Sequence, residues 1–216
     1  MPLSSNINIK ELNILHSVLS KIRSPKIKDE KEYQTICACD VSYHETRKKG
    51  FAVAAAISYN QKSREVVQRE AVISYNPLLY VPGYFFVREL PPIVSVLRKM
   101  HSNIDVIFVE GHGLLHPQKS GLAVYVGVFF DKPTVGIAKS LQIGKVVDQK
   151  QSISPIIYEN RVLGNMIFSS NIGRRYYVSV GYKTSLEKAT KMVFTLLAQG
   201  MDLMHMAHLL SKTLIS

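Results

Sequence analysis

Two kinds of apolar spacing run along this chain, and the places where one gives way to the other mark its elements. Leu12, Leu15, Val18, Leu19 and Ile22 recur at helical spacing. Residues 22–32 are charged and broken by Pro25, so they read as a linker, and residues 1–34 as a peripheral N-terminal helix and connector. From Thr35 the spacing becomes that of strands. Thr35–Tyr43 (TICACDVSY), Gly50–Tyr59 and Arg64–Ser74 are three strand-like runs with short connections, which predicts an antiparallel meander.

The pattern then alternates. Residues 76–83 (NPLLYVPG) form a loop with two prolines, and Tyr84–Met100 has helical spacing. Pro91 and Pro92 predict a break or a second helix start within it. Ile104–Val109 is a buried strand running into Glu110-Gly111-His112-Gly113, Ser120–Phe130 a helix, and Thr134–Ala138 another buried strand. Strand, helix, strand, helix, strand implies parallel pairing through crossovers. Ser154–Tyr158, Val162–Ser169 and Tyr176–Val180 are strand-like, and two helices close the chain at about 186–199 and 202–210, the first with Ser185 as N-cap. The sum is α/β, one domain over residues 1–216, with a mixed sheet of a three-strand meander followed by parallel βα units, flanked by helices.

Composition adds a compartment and a class of partner. Hydrophobic residues make up 46% of the 216 and charged residues 20%, a globular balance. No apolar run approaches the ~20 residues that span a bilayer. Asn6, Lys10, Glu11 and Asn13 interrupt any secretory apolar region. Cys37 and Cys39 are the only cysteines, two apart on one strand, and read as small core residues rather than a redox pair. These features predict a soluble cytoplasmic protein with no membrane partner. Lys and Arg number 27 against 16 Asp and Glu, a formal charge of +11. That excess points to a polyanion, most simply nucleic acid, or else to a charged surface that keeps the protein soluble.

Candidate chemistry lies at strand ends. Asp40 stands where a buried strand turns polar, Glu110 ends the strand 104–109, and Glu89 interrupts an apolar helical stretch beside Arg88. A carboxylate there is costly unless paired or bound to metal, and in α/β sheets sites form at strand carboxyl ends. Singly, each acid reads as a cap or an ion-pair partner. Together in a basic protein they suggest a hard-cation site for Mg²⁺ or Mn²⁺ of the kind that hydrolyses phosphodiesters. His112 and His116 have i, i+4 spacing, but Gly111, Gly113 and Pro117 argue against a zinc helix. His116 could instead donate a proton or a hydrogen bond near phosphate. Lys139, just past a strand, could contact phosphate or simply be solvated. The segment 80–86 (YVPGYFF) is either a wedge that unstacks bases or a loop tucking aromatics into the core.

Four segments, Asp40-Val41-Ser42-Tyr43, Tyr80-Val81-Pro82-Gly83 with Arg88-Glu89, Glu110 through Pro117, and Gly136-Ile137-Ala138-Lys139-Ser140, closely resemble endonuclease V in order and spacing. The resemblance is strong from Thr35 to Ser140 and weaker through Val180-Gly181-Tyr182 and Met206-Ala207-His208. It implies an RNase H-like fold and a Mg²⁺-dependent nuclease, with Mn²⁺ able to substitute. The substrate would be DNA containing deoxyinosine, the product of adenine deamination. Cleavage would fall at the second phosphodiester bond 3′ of the lesion, leaving 3′-hydroxyl and 5′-phosphate ends, in DNA repair by a monomer. The alternatives are an inosine-specific ribonuclease and a weakly active nucleic-acid-binding module.

Carried over, Asp40, Glu89 and Glu110 take the metal positions and His208 that of a histidine near the metal. Lys139 and His116 take the phosphate-side positions. Tyr80, Val81, Pro82 and Gly83 match the wedge. Gly83, Phe85, Gly111, Gly113 and Leu122 match the surroundings of the base, read largely through backbone groups. Two residues depart from the family. Glu110 stands where the family has Asp, which implies a shifted ion or a changed Mg²⁺/Mn²⁺ preference. Ser179-Val180-Gly181-Tyr182 replaces Ser-Pro-Gly-His, which removes any DNA contact made by that histidine.

Overall fold

The structure, a computed structural model, describes residues 9–21, 32–45, 50–75 and 84–213. The elements in chain order are α1 (Ile9–Lys21), β1 (Thr35–Glu45), β2 (Gly50–Asn60), β3 (Glu65–Tyr75), α2 (Phe85–Leu97), β4 (Val106–Glu110), α3 (Leu122–Phe130), β5 (Thr134–Ala138), β6 (Lys145–Val146), β7 (Ile153–Tyr158), β8 (Arg161–Ser169), β9 (Arg174–Tyr182), α4 (Leu186–Ala198) and α5 (Leu203–Thr213). The strands form one sheet in the order β3-β2-β1-β4-β5-β9-β8-β7-β6. The meander is antiparallel, β1, β4 and β5 are parallel, and β5 pairs antiparallel with β9. The last four strands form a second antiparallel ribbon.

Period-two alternation divides the central strands between two cores. Ile36, Ala38, Val106 and Phe108 face one layer with α4 and α5, while Cys37, Cys39, Ile107 and Val109 face the other with α2 and α3. Both faces are covered, so these strands read as continuous apolar runs. Burial pushes the Cys37 thiol up to about 12, as befits a core residue. No helix among the described residues is long and apolar enough to cross a membrane.

One local expectation is corrected. The helix α2 runs unbroken through Pro91 and Pro92. Pro92 has no N–H for the carbonyl of Arg88, and the Tyr43 hydroxyl donates to that oxygen instead, at 3.3 Å. On α1 the buried face is Leu12, His16 and Leu19, while Leu15 and Val18 are 40% and 52% exposed. The strand β6 is too short to carry a periodicity. Ser185 caps α4 as expected, its Oγ accepting from the Lys188 N–H at 3.2 Å.

Candidate active site

The register of β1 on β4 fixes the first pair of acids. Ile36 pairs with Val106 and Cys39 with Val109, so the next step puts Asp40 beside Glu110. By alternation both leave the sheet on the face of Ala38 and Phe108, the side on which α5 packs. There α5 meets Asp40. His208 Nδ1 lies 2.7 Å from Asp40 Oδ2, and Ser211 Oγ donates to the same oxygen at 3.4 Å. Ser211 also stands 2.6 Å from Ser42 Oγ. The start of α5 is held by Asp202, whose Oδ1 accepts from the His205 N–H at 3.0 Å and whose Oδ2 accepts from Arg174 at 2.8 Å.

Glu110 is paired on its other side with the next strand. Lys139 Nζ stands 3.2 Å from Oε2, an ion pair without hydrogen-bond alignment, and this buried oxygen has no hydrogen-bond partner among the described residues. Burial pushes Glu110 up to about 7, against the pull of Lys139. Glu89 arrives from α2, on the opposite layer, and is 4% exposed. Burial pushes it up to about 8, with Asp40 and Glu110 adding to the rise and a hydrogen bond from Tyr43 opposing it. Tyr43 is clamped in turn, with the Arg88 guanidinium 3.7 Å above its ring.

This donor set suits a hard divalent cation. It offers carboxylate oxygens, one of them buried without a hydrogen bond, on two adjacent strand ends. Among the described residues no three His, Cys, Asp or Glu side chains form a ready ligand cluster. Asp40 and Glu110, with Glu89 near them, are the residues that could hold such an ion, with water or substrate oxygens supplying further ligands.

A cavity of about 260 Å³ opens beside Glu110 and Lys139. Phe85, Gly111, His116 and Leu122 line it, as does Ser120. Gly111 has a φ of +131°, which side-chain-bearing residues rarely adopt. Gly113 is corrected from the cavity to the layer beneath it. A Cβ there would stand 2.0 Å from the Val180 carbonyl oxygen, and its N–H donates to Ser179 Oγ at 2.9 Å. Tyr80, Val81, Pro82 and Gly83 lie outside the described residues.

His116 is brought to the cavity wall. It is 8% exposed, accepts the Gln118 N–H at Nδ1, and is pushed by burial down to about 4. Tyr182 pairs with Thr134, at the end of β5 away from Lys139, and its hydroxyl donates to Asp131 at 3.1 Å. The departure from histidine there does not touch this site.

Sequence reasoning missed His16 and Ser211. The signal for His16 was a polar residue on the 12/16/19 face of α1, and for Ser211 its position three after His208 on α5. His16 Nδ1 lies 2.7 Å from Ser120 Oγ and 2.8 Å from Tyr125 Oη, directly behind the cavity.

Acids at adjacent parallel strand ends, a lysine ion-paired with one of them and a neighbouring cavity, on an RNase H-like sheet, are an arrangement that suits a nuclease. The chain belongs to the endonuclease V family, whose sequence model matches residues 17–202. Endonuclease V of Thermofilum pendens is 36% identical over 165 residues, covering 75% of this chain and 71% of that protein. That of Methanopyrus kandleri is 29% identical over 208 residues, 94% and 87% of the two chains. Among solved structures, Bacillus subtilis endonuclease V superposes with a TM-score of 0.85 at 21% identity, covering 98% of this chain and 93% of that one. Ciona intestinalis endonuclease V, in complex with a 24mer DNA containing an inosine followed by a ribo-adenosine, gives 0.81 at 22% identity, 96% and 97% of the chains.

Proposed function

We propose that this nuclease recognises deoxyinosine in DNA and hydrolyses the second phosphodiester bond 3′ of it, leaving 3′-hydroxyl and 5′-phosphate ends. The observation that carries this reading is a cavity of about 260 Å³, large enough to admit a purine, directly beside the paired strand-end carboxylates. Asp40 and Glu110 would hold Mg²⁺, with Mn²⁺ able to replace it and Glu89 in support. The ion supplies an activated water and neutralises charge on the transferring phosphoryl group.

The chain's own residues divide the remaining work. His208 and Ser211 hold the Asp40 carboxylate through Oδ2, so Asp40 would be oriented to help hold a metal. Lys139 is half-exposed beside Glu110, where its ammonium would contact a phosphate of the substrate. The cavity takes a flipped hypoxanthine. That base differs from adenine by O6 in place of an amine and from guanine by lacking the 2-amino group. Tight walls sense both differences, because a polar group left unpartnered is costly. His116, neutral and buried, acts as a wall of that cavity rather than as an acid. Tyr80-Val81-Pro82-Gly83 would fill the gap in the stack. The excess of +11 draws a phosphate backbone to acids that would otherwise repel it.

The test is cleavage of a duplex carrying one deoxyinosine, run in parallel with an inosine-containing RNA strand. The expected product is a nick at the second bond 3′ of deoxyinosine with Mg²⁺. No nick with either Mg²⁺ or Mn²⁺ overturns the reading. The ribo-adenosine in the Ciona complex favours a second reading, inosine-directed cleavage of RNA, and a faster cut of the RNA strand would establish it.

A further inference from the structure

The cavity is assembled from separate stretches of chain. Phe86 belongs to α2, His116 and Ser120 to the loop before α3, and Tyr125 stands behind them on α3 itself. One imidazole reaches all of them. His16, 3% exposed, stands within hydrogen-bond distance of Ser120 and Tyr125, meets the Phe86 ring edge-on at 5.1 Å, and stacks on His116 at 5.9 Å. One turn earlier on the same helix, Asn13 Oδ1 accepts from the Tyr84 hydroxyl at 2.7 Å. Phe86 and Tyr125 complete the cluster, stacked at 3.7 Å.

We propose that α1 is the brace that fixes the shape of the base cavity, with His16 as a positioning residue for base selection. This rests on the reading of the cavity as the purine pocket. Burying an imidazole is costly unless it is bonded, and here the partners of Nδ1 are the cavity walls themselves. Ser120 passes the restraint on, its hydroxyl donating to the Gln118 carbonyl at 3.1 Å. Besides this contact the helix buries Leu19 and packs Leu12, while Ile14, Leu15 and Val18 are exposed. Asn13 and His16 also precede the 17–202 span that matches the family, so the match assigns neither of them a role. Bases of nearly equal size are told apart only when pocket walls hold position to within about 0.5 Å. A brace that ties the walls together supplies that rigidity without touching the base.

The experiment compares His16→Ala and His16→Asn in the full chain. Affinity is measured for deoxyinosine and unmodified duplexes, and the cleavage rate at saturating duplex with Mg²⁺. In His16→Ala the preference for deoxyinosine falls about tenfold while the saturated rate stays within about threefold. His16→Asn, whose amide can occupy the place of Nδ1, recovers most of the preference. Equal loss of affinity for both duplexes, or an Asn variant as impaired as Ala, overturns the proposal. If His16→Ala does not fold, Asn13→Ala decides. That residue is exposed and loses only the Tyr84 bond, so the preference should fall about threefold, and an unchanged preference overturns the brace. If the unsubstituted protein shows no preference at all, the proposed function has failed. The brace is then judged by amide hydrogen exchange over residues 84–97 and 120–126, which should quicken at least about tenfold in His16→Ala. Unchanged exchange there overturns it.

Discussion

The two halves of the site are built on opposite principles. The acid half, Asp40 and Glu110 with α5 behind them, is a concentration of charge that needs something else to be stable. Glu110 and Glu89 are both raised by burial, and one Glu110 oxygen has no hydrogen bond among the described residues. The cavity half is held mainly by packing and local bonds. Its rings stack, Nδ1 of its buried imidazole is bonded, and its floor is tied by backbone hydrogen bonds such as Gly111 N–H to the Ile137 carbonyl and Ala123 N–H to the His112 carbonyl, while among the described residues His112 Nδ1 and Gln118 Oε1 have no hydrogen-bond partner. The lesson is a division of labour. Under the proposed function, the half that would do the chemistry keeps carboxylates that a cation would stabilise, while the half that would select is packed by its own side chains.

The largest expected effect tests that division. Asp40→Ala removes half of the cation's carboxylate pair and should lower the single-turnover rate on deoxyinosine duplex by about 10³-fold or more. Affinity for the same duplex should stay within about threefold, because the cavity half is untouched. Parallel loss of rate and affinity would show that the halves are one unit. A smaller but broader effect comes from Gly136→Ala, on the strand shared by both halves. Its Cβ would stand 2.4 Å from Gly113 N and 2.8 Å from the Gly111 oxygen, backbone atoms that cannot step aside. The loop that carries Glu110 into the cavity must shift, at about 2–3 kcal/mol of stability. Denaturant midpoints measure that loss, and both rate and affinity should fall with it. An unchanged midpoint would mean that the floor is softer than its contacts.

The same contrast decides what could be read from sequence. The acid half was legible because a carboxylate at the end of a buried strand has few explanations. Asp40, Glu89 and Glu110 stood out, and the parallel register puts Asp40 and Glu110 side by side. The cavity half uses glycine, apolar rings and one histidine, which in sequence look like core. Gly113 was therefore read as pocket although it packs under it, and His16 was lost among the apolar residues of a helix read as peripheral. The meander and the βα units followed from apolar periodicity. The pairing of β6 through β9 did not, since alternation marks a strand but not its neighbour. Pro91 and Pro92 predicted a break because nothing local shows that a tyrosine forty-five residues away satisfies the freed Arg88 carbonyl.

The smallest expected effect reports on the cavity half through acid. His116 is pushed by burial down to about 4, while in the unfolded chain it titrates near its ordinary 6.5. Between those values the unfolded chain binds the proton and the folded one does not, so unfolding becomes easier as pH falls. The stability from keeping this ring neutral is therefore complete above about 6.5 and lost as pH drops toward about 4. Glu89 and Glu110 act in the opposite sense, because their raised values let the folded state hold protons that the unfolded state has released. Comparing the protein with His116→Asn cancels those carboxylates and isolates the ring. On going from pH 7.5 to pH 5 the urea midpoint should move further toward higher urea in the variant than in the unsubstituted protein, because the opposing loss from the ring is gone. An equal difference in both would mean that water reaches the ring and that this wall of the cavity opens, and the cavity half would then share the unsatisfied character of the acid half.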